Sequence, residues 1–491
     1  MEKHSRRLQG KLCRLGIYAA VGRVVNFKGF SCVYVSWRSL MNVKCTAVLM
    51  FVFYVLLPAG SAPLPGQAPP AAVADQAALA PAVQGKIIDW VCEKLNANYV
   101  FPDLAAKMEK HVRKQFKAGA YRKNKSTPDF LSSLTRDLLS VCKDAHLRVS
   151  FNANPPPPDS ASDREKEKAR LEQLEKDRSE NFYFRQCERL SGNVGYVRFD
   201  KFADARYGGP TAVAAMNFLA NCDALIIDLR FNGGGSGTLI QLLLSYFFDE
   251  PVHYNNMYIR NRNVTEQNWT SAHVQGPKMT AQDLYVLTSD YTFSAAEEFT
   301  YDLKNLDRAT IVGATTGGGA HPVEFHYLRE LQVELKIPHG RSFNPKTGLD
   351  WEGTGIEPDI KTAKEKALDV AHTLALKNLY LKAPAEQKDK RQWDWQYLEA
   401  RTNPLAVDAE MLKRYAGQYG PLRVSWAEGR LLLLEPGQSQ PKMMCPLSDT
   451  LFVIEGISDI RAQFEKDDSG AVTALLGLRA DGRQQRLAKS Q

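Results

Sequence analysis

The sequence contains no Cys-x-x-Cys pair, no His-Glu-x-x-His stretch, no glycine loop ending in Gly-Lys-Ser/Thr and no Gly-x-Gly-x-x-Gly run. These absences remove the usual zinc, metalloprotease, phosphate-loop and dinucleotide signatures, and neither a metal nor a cofactor is expected. Cysteine is scarce, with 8 in 491 residues. Five follow residue 62 (Cys92, Cys142, Cys187, Cys222, Cys445), an odd and scattered set that excludes a dense disulfide framework. One or two bridges remain open to them in an oxidising compartment. Long apolar runs are also lacking. The longest clear one, residues 46–57, has 12 residues, too few to cross a hydrocarbon core of about 30 Å.

An excess of one charge is missing from most of the chain. The formal charge is +8. Residues 1–44 hold nine basic side chains and one acid, so the other 54 basic and 54 acidic residues cancel. The surplus belongs to the leader and gives no ground for nucleic-acid binding. A short basic stretch from Met41, the apolar run and the small residues at 58–62 read as an export signal. Met41 is the expected start, and the mature chain is expected to have no stable membrane span and to be periplasmic or secreted. A retained anchor is the other reading of this segment.

Composition shifts divide the rest. Residues 63–85 form an Ala/Pro-rich linker. Residues 86–151 carry three amphipathic patterns with Pro102 and Thr127-Pro128-Asp129 as start signals, which predict a three-helix bundle ending in a strand. Residues 152–191 are Pro-rich and then charged, a solvated helix or a cover over the site. Residues 192–383 alternate strands and helices, as a crossover α/β domain does. Residues 384–407 read as a connector. Residues 408–491 show short β runs between Gly, Asp and Ser turns, a small antiparallel β domain.

Two strand-to-helix junctions in the α/β region carry the candidate chemistry. In 290–298, DYTFSAAEE, Ser294 stands where a helix opens and backbone N–H groups are unpaired. Such a serine either caps the helix or attacks a carbonyl whose oxyanion those groups hold. In 228–237, DLRFNGGGSG, three glycines allow close backbone approach to a ligand. Strand carboxyl ends of one open sheet face a common crevice.

The runs DLRFNGGG, TSDYTFSAAEEF, GATTGGGA and WEGTGIEPD together resemble the tail-specific (carboxyl-terminal processing) serine protease family. NANYVFPDLAAKM and KDAHLRVSF resemble the helical region of its branch related to interphotoreceptor retinoid-binding protein. The likeness spans residues 86 to about 372, and the last 84 residues resemble a β domain attached to some exported hydrolases. The resemblance implies Ser294 as nucleophile and the N–H groups of Gly234 and Ala295 as oxyanion hole. Many members place a lysine base in a GxxTxGKG stretch, but here that position is Gly319. The tricorn-like and retinoid-protein-like branches use a histidine after the helical region, which His146 matches. An ordinary core or surface histidine is the other reading of His146. Glu352 resembles the orienting carboxylate, Glu297 rivals it from three residues after Ser294, and Asp144 is a local partner for His146. His321 and His326 lie near the cleft in sequence. Between 151 and 193 there is too little chain for a PDZ domain, so recognition of a substrate's C-terminus loses its usual support.

The expected function is an exported serine peptidase acting on peptides or proteins through an acyl-enzyme. A carrier of retinoid or other apolar ligands and a hydrolase of small esters are the competing classes.

Overall fold

The computed structural model describes residues 78–490 and, ahead of them, the backbone of two short strands. The predicted leader, its start at Met41 and residues 63–77 of the linker lie outside the described residues apart from those strands. The chain divides into two units between residues 72 and 73. In the first, Val25–Phe27 (β1) pairs antiparallel with Phe30–Cys32 (β2).

The second unit opens with Pro81–Asn98 (α1), Pro102–Lys117 (α2) and Thr127–Cys142 (α3). Proline at the first helical positions fits their starts, because no intrahelical N–H is lost there. The Ser126 hydroxyl caps α3 by accepting the Asp129 N–H at 3.2 Å. Arg148–Phe151 (β3) follows. The three predicted helices are present, but they do not enclose a core of their own. Leu95, Met108 and Leu134 pack with Val149 of β3 and with Leu335 and Ile337 farther along the chain. Asp163–Ser179 (α4) is the charged helix, closed at its start by reciprocal bonds between Ser162 and Glu165. It buries only Leu174.

The α/β part runs Phe184–Leu190 (β4), Val194–Phe199 (β5), Ala205–Leu219 (α5), Ala224–Asp228 (β6), Gly237–Leu244 (α6), His253–Ile259 (β7) and Val264–Trp269 (β8). It continues with Asp283–Thr288 (β9), Ala295–Asn305 (α7), Thr310–Gly313 (β10), Val323–Leu328 (β11), Val333–Pro338 (β12), Gly340–Phe343 (β13) and Ile360–Lys361 (β14). Six strands form one sheet in the order β14-β10-β9-β6-β5-β4. All neighbours are parallel except β4, an antiparallel edge. Alternate residues of its strands feed two cores. Val197, Ile227 and Val286 pack under α5, α6 and α7. Tyr196, Ile226 and Leu287 pack under Ala367–Lys382 (α8) and Ala385–Thr402 (α9). Burial on both faces explains why these strands read as continuous apolar runs. Two small antiparallel sheets, β11-β12-β3 and β13-β7-β8, complete this part.

Ala409–Arg414 (α10) leads into eight strands: Gly417–Tyr419 (β15), Leu422–Ala427 (β16), Arg430–Leu434 (β17), Lys442–Pro446 (β18), Leu451–Ile454 (β19), Ile457–Lys466 (β20), Val472–Arg479 (β21) and Gln484–Ala488 (β22). Each pairs antiparallel with the next. A Tyr419–Lys489 bridge and the Ser490 N–H donated to Gln418 O at 2.8 Å join the last strand to the first. The predicted small β domain is thus a closed eight-stranded barrel with Phe452, Phe464 and Tyr419 in its core. The connector read at 384–407 is largely α9. Its Trp393 ring lies 3.7 Å from the Arg461 guanidinium of the barrel.

All five cysteines after residue 62 are free. No helix among the described residues is long and apolar enough to cross a membrane.

Candidate active site

Ser294 closes the turn between β9 and α7. Its φ of 55° is unusual for a residue with a side chain, so neighbouring bonds must hold it. Its N–H donates to Glu297 Oε2 at 2.9 Å. The Phe293 N–H donates to Asn232 O at 3.1 Å, and the Gly317 N–H donates to Thr292 O at 3.0 Å. The Thr292 and Ser289 hydroxyls donate to the carbonyls of Leu229 and Arg230 at 2.8 and 2.6 Å. The turn is therefore stitched to the glycine loop on one side and to residues 316–319 on the other. The Ala295 N–H at the mouth of α7 has no acceptor among the described residues.

The glycine loop follows β6. The Asp228 carboxylate accepts from the Arg230 guanidinium at 2.6 Å and anchors the start of the loop. Gly234 has φ +100°, and a Cβ there would stand 2.7 Å from Ser294 Cβ and 3.0 Å from Ala295 N. Only glycine lets the loop lie against the serine turn. The Gly234 N–H, however, donates to Asn232 Oδ1 at 2.9 Å. Of the two expected oxyanion donors, the Ala295 N–H is open and the Gly234 N–H is occupied.

His146 lies between α3 and β3 and is buried. Its ring centroid is 4.5 Å from that of Phe293, the residue before the serine. A Cβ at Gly319 would lie 2.6 Å from His146 Cε1 and 2.3 Å from Phe293 Cζ. The absent lysine thus has a steric counterpart, since the two rings fill its space. No hydrogen bond joins His146 to Ser294, and His146 Nδ1 has no partner. Burial, reinforced by the Lys336 charge, depresses its pKa to about 3, with Asp144 opposing.

The two candidate carboxylates do different work. Glu297 is buried and accepts from the Thr316 hydroxyl at 2.5 Å and the N–H groups of Gly318, Gly319 and Ser294 at 2.7, 2.8 and 2.9 Å. It fastens the 316–319 loop to α7 and makes no bond to His146. Burial raises its carboxyl, and these four bonds resist the shift. Glu352 accepts the N–H of Ala145, next to His146, at 3.2 Å and that of Ala320 at 2.6 Å. Burial and the Asp144 charge push its pKa up to about 7.

His321 is the residue that sequence reasoning underrated. Its Nδ1 is 2.7 Å from Asp144 Oδ2 and 3.5 Å from Glu352 Oε2. Asp144 also accepts the Tyr99 hydroxyl at 3.2 Å and the His146 N–H at 3.1 Å. Burial alone would depress His321, but the bond and charge of Asp144 with that of Glu352 raise it. Asp144, His321 and Glu352 each bring one potential ligand atom within 4.8 Å of the others. Tyr99, Ala145 and Ala320 donate to the two carboxylates, so the cluster is already satisfied as an ion-pair network. The only sequence signal for it was the position of His321 just after the triple glycine. Four other histidines without a sequence partner, among them His339 and His372, stay outside the cluster, as does His326, which pairs with Glu324 at 2.9 Å.

Ser294, Ala295, Gly235, Gly319 and His321 share the wall of a cavity of about 530 Å³. A left-handed serine at a helix mouth, a glycine loop pressed on it and the buried His321 therefore meet at one cleft, while His146 packs against Phe293 and Gly319 outside the cavity wall. Residues 193–362 match the model of peptidase family S41. Residues 77–183 match that of the N-terminal domain of this family in eukaryotic IRBP. The chain carries a peptidase family S41 domain preceded by that family's N-terminal domain. Curated S41 relatives include the tricorn protease of Thermoplasma volcanium, 25% identical over 177 residues. That alignment takes in 35% of this chain and 15% of the relative. The tricorn protease of Thermoplasma acidophilum is 23% identical over 174 residues, with the same shares. The chain thus spans about 15% of the length of these relatives. Among solved structures, the photosystem II D1 C-terminal processing protease is 15% identical with a TM-score of 0.37, covering 57% of this chain and 94% of that one. Mature CPAF is 12% identical with a TM-score of 0.43, covering 61% and 97%.

Proposed function

We propose that this S41 protein is an exported serine peptidase that cleaves peptide bonds through an acyl-enzyme on Ser294. The Ser294 oxygen attacks the scissile carbonyl carbon while His146 takes the hydroxyl proton. The carbonyl oxygen becomes an oxyanion beside the Ala295 N–H, and the Gly234 N–H leaves Asn232 Oδ1 to become the second donor. Collapse breaks the C–N bond, and the leaving amine takes the proton from His146. Water then attacks the acyl group with the same base and frees the acid and Ser294. Glu352, bonded to the backbone beside His146, positions the histidine segment. The basic and apolar leader is what supports export.

One observation carries the reading. A serine that only caps a helix has extended backbone, whereas Ser294 has φ 55° and ψ −123° and abuts Gly234. Ser294 shares a reciprocal capping box with Glu297, but that box does not call for the strained backbone, which a nucleophile pressed on a glycine loop does. A second reading of the base rests on its own observation: His321 is oriented by Asp144 and shares the cavity wall with Ser294. In that reading His321 takes the proton and His146 is packing.

A fluorophosphonate probe tests the nucleophile. Wild type is expected to label and Ser294→Ala is not. Equal labelling of both, or retinol binding without labelling, would overturn the peptidase reading, and ester turnover without peptide turnover would move it to small substrates. His146→Ala is expected to lower kcat/KM by about 10² to 10⁴. If His321→Ala does so while His146→Ala does not, the base is His321.

A further inference from the structure

The cavity beside Ser294 has a charge pattern that peptide cleavage alone does not require. Glu298 lies one turn after Ser294 on α7, where residues four apart share a face, and both line the cavity. Glu298 Oε1 accepts the Asn255 side-chain N–H at 2.7 Å, and Asn255 is buried. The second oxygen of Glu298 accepts from no donor among the described residues. The cavity wall contains no lysine or arginine, and it includes a second carboxylate, Glu266. Tyr254 and Met257 supply apolar wall on the same side. One turn deeper, Asp302 is 1% exposed and its Oδ2 has no partner. Burial raises the carboxyls of both Glu298, to about 7, and Asp302.

We propose that this cavity selects substrates carrying lysine or arginine immediately before the cleaved bond, with Glu298 as the anionic anchor for that side chain. The inference rests on Ser294 as nucleophile. The rise from Ser294 to Glu298 is about 6 Å along the helix axis, within reach of the four-carbon stem of lysine. Tyr254 and Met257 would cover the stem, as apolar walls do for side chains that keep only their charged end in polar surroundings. A cation at Glu298 offsets the cost of ionising a half-buried carboxyl, which an apolar side chain cannot do.

The test uses the full chain and two peptidyl diphenyl phosphonates that differ only at this position, one with lysine and one with the neutral norleucine. Wild type is expected to react about tenfold or more faster with the lysine probe, and Glu298→Gln, which keeps the shape and the Asn255 contact, is expected to bring the ratio toward one. Equal rates in wild type, or a lysine preference that survives Glu298→Gln in a protein with an unchanged melting curve, would overturn the inference. Labelling that neither probe gives, or that persists in Ser294→Ala, would instead remove the nucleophile reading and this inference with it.

Discussion

At the scale of single residues, two buried imidazoles near Ser294 have opposite electrostatics: His321 in the cavity wall and His146 packed on Phe293. His146 is depressed to about 3, first by burial and then by Lys336. His321 is raised above the ordinary histidine value by its carboxylate neighbours. A general base must be neutral, so activity falls as pH drops through its pKa. If His146 is the base, kcat/KM is expected to hold down to about pH 4–5, below the ordinary histidine value near 6.5. A limb above pH 6.5 that disappears in His321→Gln would assign the role to His321. Gly319 gives a steric prediction. A methyl group there meets both His146 and Phe293, and misplacing a base by about 1 Å costs on the order of 10²-fold. Gly319→Ala is expected to lose that much in kcat/KM while keeping the wild-type circular dichroism spectrum. Ser294, Glu352 and His146 could be picked out of the sequence because motifs surround them. The Asp144–His321 pair could not, since its partners are 177 residues apart and only folding brings β3 beside β12.

At the scale of elements, α7 opens at the proposed nucleophile and buries two acids, Glu297 and Asp302. Asp302 holds its proton in the folded chain and loses it near pH 4 when unfolded. The folded state therefore binds more protons across the interval above that value, and stability declines as pH rises through it. Asp302→Asn removes this slope. The variant is expected to melt near the wild-type temperature at pH 5 and above it at pH 8, by calorimetry at both values. The central strands were legible because both faces are apolar. Other elements were hidden for physical reasons. The start of α5 contains Gly208, Gly209 and Pro210, which read as breakers, yet Asp204 caps it at the Arg206 N–H. Strand β8 carries Glu, Gln and Asn on a largely exposed edge, and β7 buries Tyr254 and the polar Asn255 side by side. They show no apolar alternation and were missed. Helix α9 buries only Leu398 and Ala400, so its periodicity is faint.

At the scale of the whole molecule, α9 connects the six-stranded sheet to the barrel. Trp393 contributes a cation–π contact to Arg461 and donates its indole N–H to Ser458 O at 2.7 Å. Arg391 of the same helix pairs with Asp223 at 2.6 Å on the sheet side. Trp393→Ala is expected to destabilise the barrel attachment by about 2 kcal/mol, the scale of a desolvated cation–π contact. Limited proteolysis should then cut near residues 403–408 well before the catalytic part unfolds. Unchanged digestion would show that the barrel is held by other contacts.

The seam between β15 and the residues after β22 has a further consequence. Eight successive strands with two open margins would offer unpaired amides to any neighbouring copy, the usual template for edge-to-edge polymerisation. Here the Ser490-to-Gln418 bond and the Tyr419–Lys489 bridge occupy those margins. The β-rich tail can therefore be concentrated without recruiting another chain strand by strand, and trimming its last few residues would expose the sticky edge that closure conceals.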